Sequence, residues 1–349
     1  TDVVSVGNPE AWSVPPFAGE IKDGFLFGRG ATDMKGAVAA FFIAVEEALP
    51  ALSNVRIGVI ITTDEEWAAI NGTRHVLHWL CQQNKAFEAF LVAEPSSPDV
   101  LGSHIKIGRR GSLVGKLVAE GVQGHAAYPD RFINPNRALA LASTVLQALV
   151  WRDATACMPA TQFQPVALQA GSFQASAIIP GRAEGLWNIR FTPQQPPATL
   201  VTRLREALAD PPPWVLHHPD AALLARVAVH GNIDTASHPY LSHNGRLTTA
   251  AVSAAAKVLG REPVLDCGGG TSDGRFVQQF FPDAEVIELG PAEGGGLWSA
   301  VYGSASFRDR GGMHQVDERI SLNDLANLRR IYCRLICDYA AADPAAALE

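Results

Sequence analysis

The chain has 349 residues, 47% of them hydrophobic and 18% charged, which is enough apolar content for a sizeable core and more than one domain. Its 28 Lys and Arg against 35 Asp and Glu leave a net charge of −7 with no basic block, which speaks against a nucleic-acid footprint. No apolar run approaches the ~20 residues that cross a bilayer, and five scattered cysteines without a C-x-x-C pair fit reduced thiols of the cytoplasm better than a disulfide framework or a cysteine zinc site.

In chain order, TDVVSVG places an acid, Asp2, at the head of a β-branched run. GRGATDMKG brings Asp33 to the start of a helix predicted over 34–49, where a helix N-terminus favours an anion. VRIGVIIT (55–62) is almost continuously apolar and predicts a strand buried on both faces. It runs into TTDEEW, which carries Asp64, Glu65 and Glu66. FEAFLVA (87–93) predicts a second strand, ending at Glu94, and AEVIEL (284–289) a third.

The middle of the chain behaves differently. LVGKLVAEGVQG alternates like a half-buried strand, a helix is predicted over 136–151, LWNIRFTP is a further strand, and a helix over 198–209 precedes DPPPW. This pattern predicts an α+β domain at residues 112–237 inserted into an α/β domain formed by residues 1–111 and 238–349. The last helix starts after Ser321 and repeats Leu322, Leu325, Leu328, Tyr332, Leu335, Ile336 and Tyr339 at helical spacing, with Cys333 and Cys337 expected in its core packing.

The acids fall where predicted strands end, and open α/β sheets bind ligands at the carboxyl ends of their strands. Each has an ordinary reading by itself: Asp33 as a helix cap, Glu94 as a loop acid, Glu65 and Glu66 as a solvated turn, His314 in GGMHQVDE as a surface residue beside Asp317 and Glu318. Gathered at one sheet edge they would repel one another unless a cation neutralised them. Oxygen-rich sites with a histidine suit zinc, manganese or cobalt, and His314 is the best-placed histidine. GRGATDMKG does not satisfy the dinucleotide fingerprint, and GGGTSDGRF lacks the Lys of a phosphate loop; the latter reads as a backbone nest for an anion, supported by Arg275.

The ordered set TDVV, LFGRGATDMKG, TTDEE, AEP, GRRGS, GHAAYP, GGGTSDGRF and HQVDE resembles the dinuclear zinc aminoacylase and carboxypeptidase family over essentially the whole chain, with GRRGS, GHAAYP and GGTSDGRF pointing to its desuccinylases. The resemblance implies a zinc-peptidase-like catalytic domain with a mixed central sheet flanked by helices, and an inserted lid through which two copies form a homodimer. It implies hydrolysis of an N-succinyl amide on a small dicarboxylate substrate, with another family deacylase, such as one acting on acetylornithine, or an inactive binding form as alternatives. Two divalent ions, zinc or else cobalt or manganese, would be held with Asp33 bridging, Glu66 and His314 on one and Glu94 on the other. Glu65 would be the general base, Asp2 would orient a metal-bound histidine, and His125 would stabilise the oxyanion from across the dimer. Arg109, Tyr128, Arg190, Gly270 and Thr271 would hold substrate.

The family pattern Gly-His-Thr-Asp sets a ligand histidine ahead of Asp2; the sequence begins at Thr1, so one site lacks that ligand here and an N-terminal part of the domain is expected to be missing. Ser176 and Ala177 stand where desuccinylases commonly place asparagines, and the stretch between Gly290 and His314 is longer than the usual family connection.

Overall fold

The structure, a computed structural model, describes residues 2–52, 55–67, 69–98, 100–294 and 312–341. The long connection that precedes His314 thus lies largely outside the described residues. The chain divides into two compact units, one formed by Thr1–Arg109 with Tyr240–Glu349 and the other by Arg110–Pro239.

In the first unit a four-stranded mixed sheet runs in the order 264–266, 104–106, 285–288, 89–92. The outer pairs are parallel, and 285–288 meets 104–106 antiparallel at Glu288 and Lys106. Glu285–Glu288 is buried along its whole length, as a strand with neighbours on both sides requires. Helices Gly36–Ala48, Arg246–Leu259 and Leu322–Ala341 pack together. The last helix packs on both others; the first two bury small residues, including Ala37, Ala40, Ala44, Ala251, Ala254 and Ala255, and the third buries Leu328, Ile331, Tyr332 and Leu335. Ser321 Oγ accepts from Asp324 N at 3.3 Å, which starts the last helix as the sequence predicts. Cys333 and Cys337 are half-buried at the margin of that packed face and do not belong to the core.

The apolar run at 55–62 departs from its prediction. It is extended, but among the described residues it joins no ladder, and Val59, Ile60 and Ile61 are exposed. A strand is defined by its partners, and an aliphatic run alone does not supply them. An apolar cavity of about 580 Å³ lies beside it, lined on one side by Val55, Ile57 and Val59 and on the other by Phe90, Leu91 and Val92 of the sheet's edge strand.

The second unit is a four-stranded antiparallel sheet in the order 227–231, 111–120, 182–191, 162–170. Strand 111–120 alternates buried and open positions along its length, the period-2 signature of a sheet covered on one face. Leu113, Leu117, Phe163, Trp187 and Ile189 from the sheet share one core with Leu139, Val145 and Leu146 of helix Pro135–Gln147 and Leu200 and Leu204 of helix Pro197–Ala209. The first helix begins at Asn134, whose side chain caps the Asn136 amide at 3.0 Å.

Candidate metal centre and active site

Asp33 sits in a wide turn, Ala31–Lys35, ahead of helix Gly36–Ala48, and is joined to Met34 by a cis peptide bond. The turn is held by a carboxylate to which the sequence assigned no role. Glu318 is fully buried; its Oε1 accepts from the amides of Gly30, Thr32 and Asp33 at 3.0–3.1 Å, and its Oε2 pairs with Arg29 at 2.5 Å. An anion at the head of a helix is favoured by unpaired N–H groups, and here those amides carry Asp33 into place. Gly30 has φ +88°, and a Cβ on it would come within 2.7 Å of Val3, so a glycine is required at this bend.

Across from Asp33, the TTDEEW turn is organised by two other acids. Asp64 accepts from the Ile70 and Asn71 amides at 2.7 and 3.0 Å, closing the turn. Asp2 accepts from the Glu65 and Glu66 amides, each at 3.2 Å, so its carboxylate fixes the backbone of both glutamates. His314, whose backbone is left-handed at φ +63°, presents Nε2 to Asp33 at 3.1 Å and to Glu66 at 3.3 Å. The ligand atoms of Asp33, Glu66 and His314 all lie within 4.8 Å of one another. Glu94, two residues past the end of strand 89–92, hydrogen-bonds the Asp33 side chain.

The charge balance of this cluster is uneven. Glu65 is pushed up to about 8 by withdrawal from water and then by Asp273 and Glu66. Glu94 is held well above the usual carboxylate range by burial and by Asp33 and Glu65. His314 is raised to about 10, first by its hydrogen bond to Asp33 and then by that to Glu66. Four carboxylates and one imidazole therefore compete for protons; the histidine sits among them, and Arg275, paired with Asp273 at 3.5 Å, only partly offsets the rise at Glu65. That donor set, hard oxygens with one nitrogen around a shared Asp, fits a divalent cation of the zinc, cobalt or manganese type.

The other predicted site residues fall into two groups. In the first unit, Gly270 is exposed and Thr271 half-buried on the loop after strand 264–266, with nothing within 4 Å of a Cβ built on Gly270. Arg109 differs from its expected role: it is buried, with Nε on Glu288 at 2.8 Å, Nη1 on the Gly268 carbonyl at 3.0 Å and Nη2 also on Glu288, so each nitrogen donates within the protein. In the second unit, His125 and Tyr128 are exposed neighbours with ring centroids 5.5 Å apart. Arg190 is half-buried in that unit's sheet, its Nη1 enclosed without a partner. Burial, together with Arg110 nearby, disfavours its charged form.

With the geometry in place, comparison supplies the class. The sequence matches the description of peptidase family M20/M25/M40 across residues 1–338, and the chain belongs to that family. It is 38% identical over 347 residues to the succinyl-diaminopimelate desuccinylase of Bordetella bronchiseptica, covering 98% of this chain and 82% of that protein. Its fold is shared with an M20 family metallo-carboxypeptidase, Sso-CP2, of Sulfolobus solfataricus at TM-score 0.73 and 18% identity, over 98% of this chain and 84% of the other. Human carnosine dipeptidase 1 follows at TM-score 0.63 and 14% identity, over 98% and 79%.

Proposed function

We propose that the chain hydrolyses the amide of N-succinyl-LL-2,6-diaminopimelate, releasing succinate and LL-2,6-diaminopimelate in the cytoplasm as a step of lysine and cell-wall synthesis. The observation that carries this reading is the acid-rich cluster of Asp33, Glu66, Glu94 and His314 beside Glu65, in a chain 38% identical to a desuccinylase.

Asp33, Glu66 and His314 would hold one divalent ion, and Glu94, hydrogen-bonded to Asp33, would serve a second; zinc suits the donors best, with cobalt or manganese as substitutes. Ions bound there supply Lewis acidity, which makes water a stronger acid and the amide carbonyl a better electrophile. Glu65 takes the proton of the attacking water on its carboxylate and returns it to the departing amine nitrogen, so the C–N bond breaks with the proton accounted for. Asp2 keeps Glu65 and Glu66 in register through their amides. Gly270 and Thr271 offer open backbone to the substrate. Arg190 is assigned to a substrate carboxylate in this reading because its Nη1 has no partner within the protein and a guanidinium can bind a carboxylate in a bidentate fork.

The second unit acts as the lid and the dimer contact in this reading. Its edge strand 162–170 leaves Val166 and Leu168 exposed, and Phe173 just beyond it is fully exposed, as suits a sheet edge that meets a second copy. His125 and Tyr128 are exposed on that unit, and in this reading a second copy's His125 stabilises the oxyanion from across the dimer while Tyr128 helps hold substrate.

The test is hydrolysis of N-succinyl-LL-2,6-diaminopimelate by the zinc-loaded protein, beside N-acetylornithine. A kcat/KM higher for the succinyl substrate is expected, and preference for acetylornithine would overturn the assignment. Glu65→Ala should lower kcat about a thousandfold or more with metal content near normal, because it removes proton transfer and leaves the ligands in place.

A further inference from the structure

A buried carboxylate outside the metal cluster gathers more partners than any one element needs. Glu288, at the end of strand 285–288, is fully buried, and its Oε2 receives Arg109 through Nε at 2.8 Å and through Nη2. Its Oε1 receives the hydroxyls of both Tyr240 and Ser272. Tyr240 and Ser272 are themselves almost wholly buried, so all four groups are removed from water. Such a centre is costly unless every charge and hydrogen is met, and here each oxygen has two donors.

These partners converge on one segment, the loop 267–273 that contains Gly270 and Thr271. Ser272 belongs to that loop and also accepts from the Gly274 amide at 3.2 Å. Arg109 Nη1 holds the Gly268 carbonyl at 3.0 Å, and Gly269, at φ +101°, packs so closely on the guanidinium that a Cβ would lie 2.3 Å from it. On the other flank, Asp266 accepts from the amides of Cys267 and Gly268 at 2.8 and 3.0 Å while paired with the buried Lys106. The Arg109 fork also reaches the Pro95 carbonyl at 3.5 Å, next to Glu94.

We propose that Glu288, with Tyr240 and Arg109, forms a positioning centre that sets the conformation of loop 267–273 and so determines substrate affinity. Arg109 then acts through the loop, by holding the Gly268 carbonyl and Glu288, and the backbone of Gly270 and Thr271 is held in one arrangement because the loop is tied to the Arg109–Glu288 and Lys106–Asp266 pairs. The inference deepens the desuccinylase reading by assigning how one wall of that site is built, and it rests on that reading for the substrate.

Two variants, each removing a single hydroxyl from Glu288, test it in the zinc-loaded full chain: Tyr240→Phe and Ser272→Ala. Loss of one hydrogen bond to a charged group should raise KM for the succinyl substrate about tenfold with kcat within about twofold. Amide hydrogen exchange at Cys267 and Gly268, and in Tyr240→Phe also at Gly274, amides that are hydrogen-bonded at the loop's ends, should speed up by a similar factor, about tenfold, while exchange in helix 322–341 stays as in the wild type. A lowered melting temperature with KM and loop exchange both unchanged would overturn the proposal, since that is what a purely structural network gives. Should the wild type fail to hydrolyse the succinyl substrate, the proposed function falls, and the exchange measurement, made without substrate, still decides the positioning role.

Discussion

Glu94 and Glu288 come from neighbouring parallel strands, 89–92 and 285–288, in register from Ala89 opposite Glu285 to Val92 opposite Glu288. Their environments are opposite. Burial would raise Glu288, but Arg109 and the hydrogen bonds of Arg109, Ser272 and Tyr240 outweigh it and hold the carboxylate below its ordinary range. Glu94 has burial and no cation: Asp33 and Glu65 add like charge and drive it well above that range. A carboxylate whose charge is balanced within the protein builds structure, and one left unbalanced among other acids is prepared for a charge that comes from outside.

The contrast can be broken by the same isosteric change at both positions. Glu94→Gln should lower hydrolysis at least a thousandfold, about 4 kcal/mol of transition-state stabilisation, with loss of metal but little change in the unfolding midpoint of the metal-free protein. Zinc analysis, steady-state kinetics and thermal melts check it; a large loss of stability would show that Glu94 is structural after all. Glu288→Gln should do the reverse, costing about 3 kcal/mol of stability by leaving Arg109 buried without its counter-charge, with the metal retained. An unchanged melting temperature would erase the distinction.

A smaller effect sharpens the electrostatics. His314, raised to about 10 by Asp33 and Glu66, is protonated at neutral pH in the metal-free protein, so a cation must displace its proton to use Nε2. Below that pKa the proton competes with the metal, and the competition weakens as pH rises. Affinity measured by chelator competition should therefore climb about tenfold per unit between roughly pH 7 and pH 9, from the proton His314 releases. A flat profile would mean that His314 is not a ligand.

Several parts of the fold and site were legible in the sequence because they depend on neighbours along the chain. The helix after Ser321 follows from apolar spacing and a cap, and the predicted helix over 34–49 is observed as Gly36–Ala48. FEAFLVA and AEVIEL form strands that send acids towards one sheet edge. The union of Asp33, Glu66 and His314 could be suspected from acids at strand ends, though only the family motifs singled out these residues.

What the sequence determined by itself, then, was local: periodicity, caps, the residue types that meet cations, and an ordered motif set that identifies a family. What only the tertiary structure decided was which groups lack or have a partner. VRIGVIIT is as apolar as FEAFLVA yet joins no ladder among the described residues, because hydrogen bonds to another strand are a property of the neighbour. Glu318, which in sequence is only a neighbour of His314, is buried under three amides, and Arg109 reads as a ligand-binding arginine and is held by Glu288, 179 residues away. Charge and hydrogen-bond compensation are set by distance in space, and a one-dimensional pattern carries no such distances.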